Sequence, residues 1–190
     1  MLASIGATSG ATSDLEAEAF AEYAAESAQV APLVEPFAGS LIEAAPDDVP
    51  LAAAGVSLAD FAVVASFINP SDVSTELWGA GFQFRGDATE TNRIAVRSDG
   101  KVYLVDSDLS PRLVGTASSY DPAPDAANQF QHFVRGDLAL FGINGAYVAS
   151  IPSPAVPLVS DVEVGTTFFA EDFVQDRVTT YEGFSIWQML

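Results

Sequence analysis

The sequence contains no cysteine, a single histidine and only seven Lys and Arg residues. The absence of cysteine excludes a disulfide framework and any metal site built on thiolates. Because Asp and Glu number 26, the formal net charge is −19. Such a surface repels nucleic acid and anionic membranes, which bind proteins through Lys and Arg. No apolar run reaches the roughly 18 residues of a transmembrane helix. We therefore expect neither a nucleic-acid partner nor insertion into a membrane.

Positive charge is missing from the first 84 residues, which hold 12 acidic residues. All seven basic residues follow, together with the other 14 acids. Three of the bases, Arg93, Arg97 and Lys101, lie in one short stretch, TNRIAVRSDGKVYLVD. This degree of acidity is typical of salt-adapted proteins and of soluble extracellular domains. The clustered bases therefore require a separate explanation.

The N-terminal segment predicts a flexible head followed by one helix. Residues 13–16, Ser-Asp-Leu-Glu, fit a capping box, and the Ala- and Glu-rich sequence as far as Val30 favours a helix. A thin apolar stripe at helical spacing is formed by Leu15, Ala19 and Tyr23, with Phe20 beside it. We assign residues 1–36 to this helical extension and residues 37–190 to the main domain.

The main domain reads as all-β. From residue 37 onward, roughly eleven short β-like runs alternate with turn residues, which favours an antiparallel sandwich or barrel. Residues 56–68 read as a single run. Asp99-Gly100 and Asn144-Gly145 each lie between alternating runs and predict type I′ hairpins. The predicted core comprises Phe67, Phe82, Phe84, Ile94, Val96, Val102, Leu104, Phe141, Phe168 and Trp187.

Three segments resemble a known superfamily in their order and spacing. They are GFQFRGDATETNRIAVRSDGKVYLVD, NQFQHFVRGDLALFGINGAYVASI and DVEVGTTFFAEDFVQDRVTTYEGFSIWQ. Together they resemble the concanavalin A-like lectin/glucanase superfamily, and most of all its bacterial 3-keto-disaccharide hydrolase-type domain, whose function is unknown in most members. The resemblance covers residues 37–190 and implies a jelly-roll sandwich of two antiparallel sheets. It also implies a bacterial protein with carbohydrate-related surroundings, located outside the cell or at its surface.

No catalytic or metal-binding residue is assigned from the sequence. Related glucanases carry a Glu-x-Asp-x-Glu strand that points its carboxylates to one side of the sheet, and we identify no such strand. Asp106 and Asp108 have this spacing but lie in a predicted turn, and His132 is interpreted as a strand residue packed against its neighbours. The resemblance makes Asp106 and Asp108, or Asp121 and Asp125, candidate calcium ligands, and we expect no other cofactor.

Alternation explains where the clustered bases point. Ile94 and Val96 should face the core, so Arg93 and Arg97 should face outward. Because consecutive antiparallel strands usually pair, one outer sheet face should carry the candidate ligand-binding residues: Gln83, Arg85, Arg93, Arg97, Lys101 and Tyr103. In similar jelly rolls this outer face is often the concave binding side. The face either consists of ordinary surface ion pairs or recognises a carbohydrate or an acidic protein segment.

The predicted function is a non-catalytic binding or structural module. The alternative is a glycoside or keto-sugar hydrolase whose carboxylate pair the sequence does not reveal. The base-free segment 14–35 is itself an acidic segment. If it docked on Arg85, Arg93 and Arg97 of a neighbouring copy, the protein would self-assemble. Docking on its own domain, or serving as a mobile linker, are the other two interpretations.

Overall fold

Alternating apolar residues build two antiparallel sheets and one helix. The computed structural model describes residues 9–46, 48–70, 75–84, 92–105, 111–152 and 159–189, and within them it has 12 strands. The elements are α1 (Ser9–Ser27), β1 (Val34–Ile42), β2 (Leu51–Leu58), β3 (Phe61–Ile68), β4 (Gly79–Phe84), β5 (Asn92–Arg97), β6 (Lys101–Val105), β7 (Pro111–Thr116), β8 (Ala127–Arg135), β9 (Leu138–Ile143), β10 (Ala146–Pro152), β11 (Ser160–Thr166), a 3-10 helix (Ala170–Asp172) and β12 (Val178–Gln188). Across the described ranges, no helix has the length and apolarity needed to span a membrane.

The strands form two six-stranded sheets that pack face to face. Sheet A has the order β1-β12-β3-β8-β9-β10, and sheet B has the order β2-β11-β4-β5-β6-β7. Aromatic pairs join their inner faces: the ring centroids of Phe61 and Phe84 are 5.9 Å apart, and those of Phe67 and Phe82 are 6.1 Å apart. The predicted jelly-roll sandwich of two antiparallel sheets is therefore confirmed.

The central core matches the sequence prediction at eight of its ten residues. Those buried between the sheets are Phe67, Phe82, Phe84, Ile94, Val96, Val102, Leu104 and Phe141. Phe168 is buried as predicted, but in a smaller hydrophobic cluster on the outer face of sheet B. The prediction is wrong for Trp187, which is half-buried on the outer face of sheet A. Trp187 points outward because its neighbour Ile186 occupies the inward position of β12.

The run over residues 56–68 is two strands rather than one. It breaks at Ala59-Asp60, and its halves belong to different sheets, β2 to sheet B and β3 to sheet A. The Asp60 carboxylate accepts a hydrogen bond from the Gly136 backbone N–H at 2.8 Å, which fixes this corner of the sandwich. A polar turn residue inside an apolar run therefore marks the passage from one sheet to the other.

The two predicted hairpins differ in turn type. Asn144 and Gly145 both have positive φ, 52° and 78°, so the predicted type I′ turn is confirmed there. At the other hairpin only Gly100 has a positive φ, 78°, so the type I′ prediction for Asp99-Gly100 is wrong. The loop between β5 and β6 has one residue more, and Gly100 donates its N–H to the Arg97 carbonyl at 2.8 Å. This arrangement is a type I turn followed by a left-handed glycine.

The helix prediction was correct in type and wrong in detail. Helix α1 begins at Ser9, so Ser13 lies inside it and the capping box at residues 13–16 does not start the helix. Extending a formed helix by one turn costs much less than nucleating it. Leu15, assigned to the apolar stripe, is 66% exposed, whereas Phe20 is 2% exposed. The buried face of α1 is therefore centred on Phe20.

Helix α1 packs on the outer face of sheet A in its own chain. Phe20 contacts Phe133 edge to face with ring centroids 5.1 Å apart, and it occupies space that any side chain at Gly142 would fill. Glu16 accepts hydrogen bonds from the Tyr147 hydroxyl at 2.7 Å and from the Ser150 hydroxyl at 2.8 Å. Burial and the bond to Glu16 raise the pKa of Tyr147 to about 12.

The acidic arm therefore does not lie on the predicted basic face within this chain. Its ion pair is with Arg135 on sheet A, where Glu26 Oε1 lies 2.9 Å from the guanidinium. The same guanidinium lies over the Tyr23 ring at 4.8 Å. The predicted boundary between residues 36 and 37 falls within β1, which begins at Val34. Self-assembly through a neighbouring copy stays a prediction.

We predict that Phe20→Ala loosens α1 from sheet A. The expected loss of unfolding free energy is about 3 kcal/mol, the lower end for a buried Phe, because undocking of the helix limits the loss. Leu15→Ala is the matched control on the exposed side and should change stability by less than about 0.5 kcal/mol. Chemical denaturation measures both values, and equal losses in the two variants would contradict this packing.

Candidate functional site on the outer face of sheet B

One segment, Thr167–Arg177, lies across the outer face of sheet B, and we call it the cover segment. Phe168 and Phe169 pack with Ala95 on that face. Two glycines make room for their rings: a Cβ at Gly79 would lie 2.8 Å from the Phe169 ring, and one at Gly165 would lie 2.7 Å from the Phe168 ring. The glycines of β4 and β11 therefore allow aromatic side chains to lie directly on the sheet.

The far end of the cover segment is fixed by a buried ion pair. Arg177 and Glu43 have side chains only 5% and 0% exposed, and Arg177 Nε lies 2.8 Å from Glu43 Oε1. A second bond joins Arg177 Nη2 to Glu43 Oε2 at 3.0 Å, and that oxygen also accepts the Val174 N–H at 3.0 Å. Arg177 further donates to the carbonyls of Leu77 and Asp172. Both charges thus have the additional partners that a buried pair requires.

Arg97 is held by the middle of the cover segment. Its Nε donates to Asp172 Oδ2 at 2.6 Å, and its Nη2 bonds to the other carboxylate oxygen. Glu171 lies 3.7 Å away, and the guanidinium is 5.4 Å from the centre of the Phe169 ring. The hydrogen bonds that Arg97 donates to the Asp172 carboxylate raise the pKa of Arg97. Arg97 faces outward as predicted, but its charge is already neutralised within the chain.

Arg93 belongs to a row of three polar side chains across β5, β4 and β11. Its Nε donates to Gln83 Oε1 at 2.8 Å, and Gln83 Nε2 donates to Glu163 Oε2 at 2.6 Å. Burial lowers the pKa of Arg93, and the nearby Glu163 carboxylate partly offsets this. We call Gln83, Arg93 and Glu163 the polar row. It presents a guanidinium, an amide and a carboxylate in fixed orientation, each able to bond to a hydroxyl group.

The other predicted site residues have separate environments. Tyr103 lies on the same face with its ring centroid 5.1 Å from that of Phe169. Lys101 pairs with Asp99 in the adjacent turn, Nζ to Oδ2 at 2.5 Å. Arg85 lies outside the described residues. The structure therefore brings together Gln83, Arg93, Arg97 and Tyr103, and it places Lys101 in an exposed ion pair beside them.

A cleft opens between the cover segment and Arg93, the member of the polar row that lines it. It has a volume of about 280 Å³ and is lined by Arg93, Pro46, Val49, Pro111 and residues 167–171. A larger depression of about 410 Å³ lies near β7 and β10, but the residues that line it include no aromatic side chain. Aromatic rings beside hydrogen-bonding groups are typical of ligand sites, so the smaller cleft is the better candidate.

The balance of charge on the outer face of sheet B is the main difference from the sequence analysis, which predicted a face of clustered bases. Two cations, Arg93 and Arg97, lie near three carboxylates, those of Glu163, Glu171 and Asp172. Among the described residues the face is thus not cationic, which removes the main reason to expect an acidic protein segment there. The sequence analysis missed the carboxylates because they come from β11 and the cover segment, far along the chain. The spacing of Asp161 and Glu163 on β11 was the available signal.

Carboxylates near this face are largely engaged in structural contacts. Asp161 accepts the backbone N–H groups of Gly55 and Val56 at 3.1 and 3.3 Å.

His132 is buried in the core with its Nδ1 3.1 Å from the Leu140 carbonyl, so its interpretation as a packed strand residue is confirmed.

Calcium binding stays a prediction. Asp106 and Asp108 lie outside the described residues, and Asp121 accepts the Ala123 N–H at 3.0 Å. In the part of the chain that the structure describes, no group of three or more His, Asp or Glu residues is arranged to hold a metal ion.

Comparison with known proteins defines the fold and no more. No protein-family model matches the sequence, and no curated protein matches it. The carbohydrate-binding module CBM66 from Bacillus subtilis is similar with a TM-score of 0.55 and 11% identity, over 75% of this chain and 83% of that one. A fructosyltransferase from A. japonicus has a TM-score of 0.59 and 12% identity over 82% of this chain, which spans only 26% of the enzyme.

A β-fructofuranosidase from Aspergillus kawachii has a TM-score of 0.53 and 11% identity over 83% of this chain and 28% of the enzyme. At these identities the likeness shows the fold alone. That fold is a sandwich of two antiparallel sheets, which is what the sequence resemblance to the concanavalin A-like lectin/glucanase superfamily implied. The finer resemblance to the 3-keto-disaccharide hydrolase-type domain stays a prediction.

We predict that breaking the buried pair destabilises the protein strongly. Glu43→Leu or Arg177→Met should each lower the unfolding free energy by about 3–5 kcal/mol, because the remaining charged group stays buried without its partner. The double variant Glu43→Leu/Arg177→Met should recover part of this loss. Lys101→Met, which breaks an exposed pair, is the control and should leave the denaturation midpoint unchanged. Losses that simply add in the double variant would contradict coupling of the two charges.

Proposed function

We propose that this protein is a non-catalytic carbohydrate-binding module whose binding face is the outer face of sheet B. The observation that carries the proposal is the polar row beside an aromatic cleft. Gln83, Arg93 and Glu163 are fixed by mutual bonds of 2.8 and 2.6 Å and point away from the core. Sugars present several hydroxyl groups on an apolar ring, so they need oriented donors and acceptors next to an apolar surface. The similarity in fold to a carbohydrate-binding module supports the same assignment.

The charge balance favours a neutral sugar over an anionic partner. The whole chain carries a formal charge of −19. On the outer face of sheet B, three carboxylates lie near two guanidinium groups. A sulfated glycan or an acidic protein segment would meet like charge at long range and near the site. Neutral hydroxyl groups, by contrast, bond equally well to carboxylate and guanidinium. We include in the proposal a location outside the bacterial cell or at its surface, which the acidity and the sequence resemblance support.

The absence of turnover is part of the proposal. Glycosidases use two carboxyl groups that flank the scissile bond, about 5–5.5 Å apart in retaining enzymes. Near this face, Asp172 is bound to Arg97 and Asp161 to two backbone N–H groups. Glu43 is buried with Arg177. These engagements support binding without catalysis, and the hydrolase alternative becomes an outcome of the test.

We predict that the polar row is required for binding. Titration with methyl glycosides and short oligosaccharides, monitored by NMR, should identify at least one neutral sugar that binds. Arg93→Ala and Glu163→Ala should each weaken its binding by roughly tenfold or more, because hydrogen bonds to charged groups contribute about 1.5–3 kcal/mol. Lys101→Ala is the control and should bind like the unaltered protein.

Two results would overturn the proposal. One is that no sugar in the panel binds. The other is release of reducing sugar from an oligosaccharide, abolished by Glu163→Gln while the protein remains folded. That second result would assign the protein to the hydrolases, with Glu163 as one of the two carboxyl groups.

A further inference from the structure

We infer that the cleft binds one neutral sugar ring at the end of a chain, rather than several units lying along the sheet. This inference rests on the proposed function and specifies which part of the ligand enters the site. Three separate parts of the chain line the cleft next to Arg93: Pro46 with Val49, Pro111 at the start of β7, and the cover segment from Thr167 to Glu171. An extended chain would need two open ends, whereas this arrangement gives walls on several sides.

The volume of the cleft sets the size of the ligand. Pockets for drug-sized molecules span about 300–1,000 Å³. The cleft measures about 280 Å³, at the small end of that range, which suits a small ligand such as a single sugar ring. A second unit would lie outside the cleft that the described residues form, where those residues offer it few contacts. Affinity should therefore depend on the terminal ring and change little with chain length.

Thr167 gives an independent indication that a ligand binds here. It lines the cleft, it is only 5% exposed, and its buried hydroxyl has no hydrogen-bond partner among the described residues. Its backbone has a φ of 59°, an outlier for a β-branched residue. Unsatisfied buried groups and strained backbone concentrate at functional sites. Because that hydroxyl is closed off from the surface, the Thr167 side chain must rotate toward the cleft before a sugar hydroxyl can supply the partner that it lacks.

Arg93 and the aromatic residues complete the recognition of a ring. The hydrogen bond that Arg93 makes with Gln83 uses Nε, so no bond to another described residue occupies the two terminal nitrogens, which can donate to ring hydroxyls. Phe168 and Phe169 also line the cleft and give it an apolar wall for the C–H face of the ring. Glu171, at 64% exposure, lies at the solvent side and disfavours a carboxylate-bearing sugar. These residues together select a neutral ring.

Chain length distinguishes this inference from the proposed function. The sugar that binds in the methyl glycoside panel is tested as a monosaccharide, disaccharide, trisaccharide and tetrasaccharide. Each titration is monitored by NMR. Affinities should be on the order of millimolar for one small ring, and they should agree within about threefold across the series. An affinity that rises more than tenfold from disaccharide to tetrasaccharide would overturn this inference and leave the proposed function standing. Binding of no sugar at all would overturn both.

Three variants of Thr167 and one matched control test the residue assignment with the monosaccharide as probe. Thr167→Val keeps the shape and removes the hydroxyl, so binding should weaken by roughly three- to tenfold. Thr167→Ser keeps the hydroxyl and should retain binding. Thr180→Val removes an exposed hydroxyl on sheet A and should have no effect. Thr167→Gly, which relieves the positive φ, should raise stability while it weakens binding. Unaltered binding in Thr167→Val would overturn the inference.

Discussion

The buried ion pair between Arg177 and Glu43 determines the shape of the candidate site. It fixes the end of the cover segment through two nitrogen–oxygen contacts of 2.8 and 3.0 Å and through the carbonyls that Arg177 also binds. One of those carbonyls belongs to Asp172, whose carboxylate holds Arg97 on the sheet. The pair is therefore linked through Asp172 to the outer face of sheet B. Without it, Phe168 and Phe169 would lose the support that keeps them on Ala95.

The distribution of charge gives the two sheet faces different roles. The acidic helix α1 covers part of the outer face of sheet A, where Glu26 meets Arg135. The outer face of sheet B is instead covered in part by the cover segment, whose Glu171 and Asp172 pair with Arg97. What remains exposed to a ligand is a polar row whose three members can donate or accept hydrogen bonds. Neutral hydroxyl groups are not repelled by the net negative charge of the chain, so their binding does not depend on electrostatic attraction.

The fold and the outward direction of Arg93 and Arg97 could be predicted from the sequence for a physical reason. Side chains alternate on a strand, so the inward Ile94 and Val96 fix the outward direction of Arg93 and Arg97. The partner of Arg97, Asp172, lies 75 residues away, and no local pattern encodes that contact. Alternation continued past β11, whose Val162 and Val164 face the central core, would place Phe168 between the sheets as well. Thr167 has a positive φ that ends the alternation, so the two following Phe side chains both lie on the outer face.

The central claim is that sugar binds on the outer face of sheet B, framed by the cover segment. Chemical-shift mapping with isotope-labelled protein and a binding monosaccharide tests this most directly. If sugar binds there, the largest shifts will occur at Arg93, at Glu163 and along residues 167–172, with little change in α1. Shifts concentrated in α1 and on the outer face of sheet A, with residues 167–172 unmoved, would contradict it.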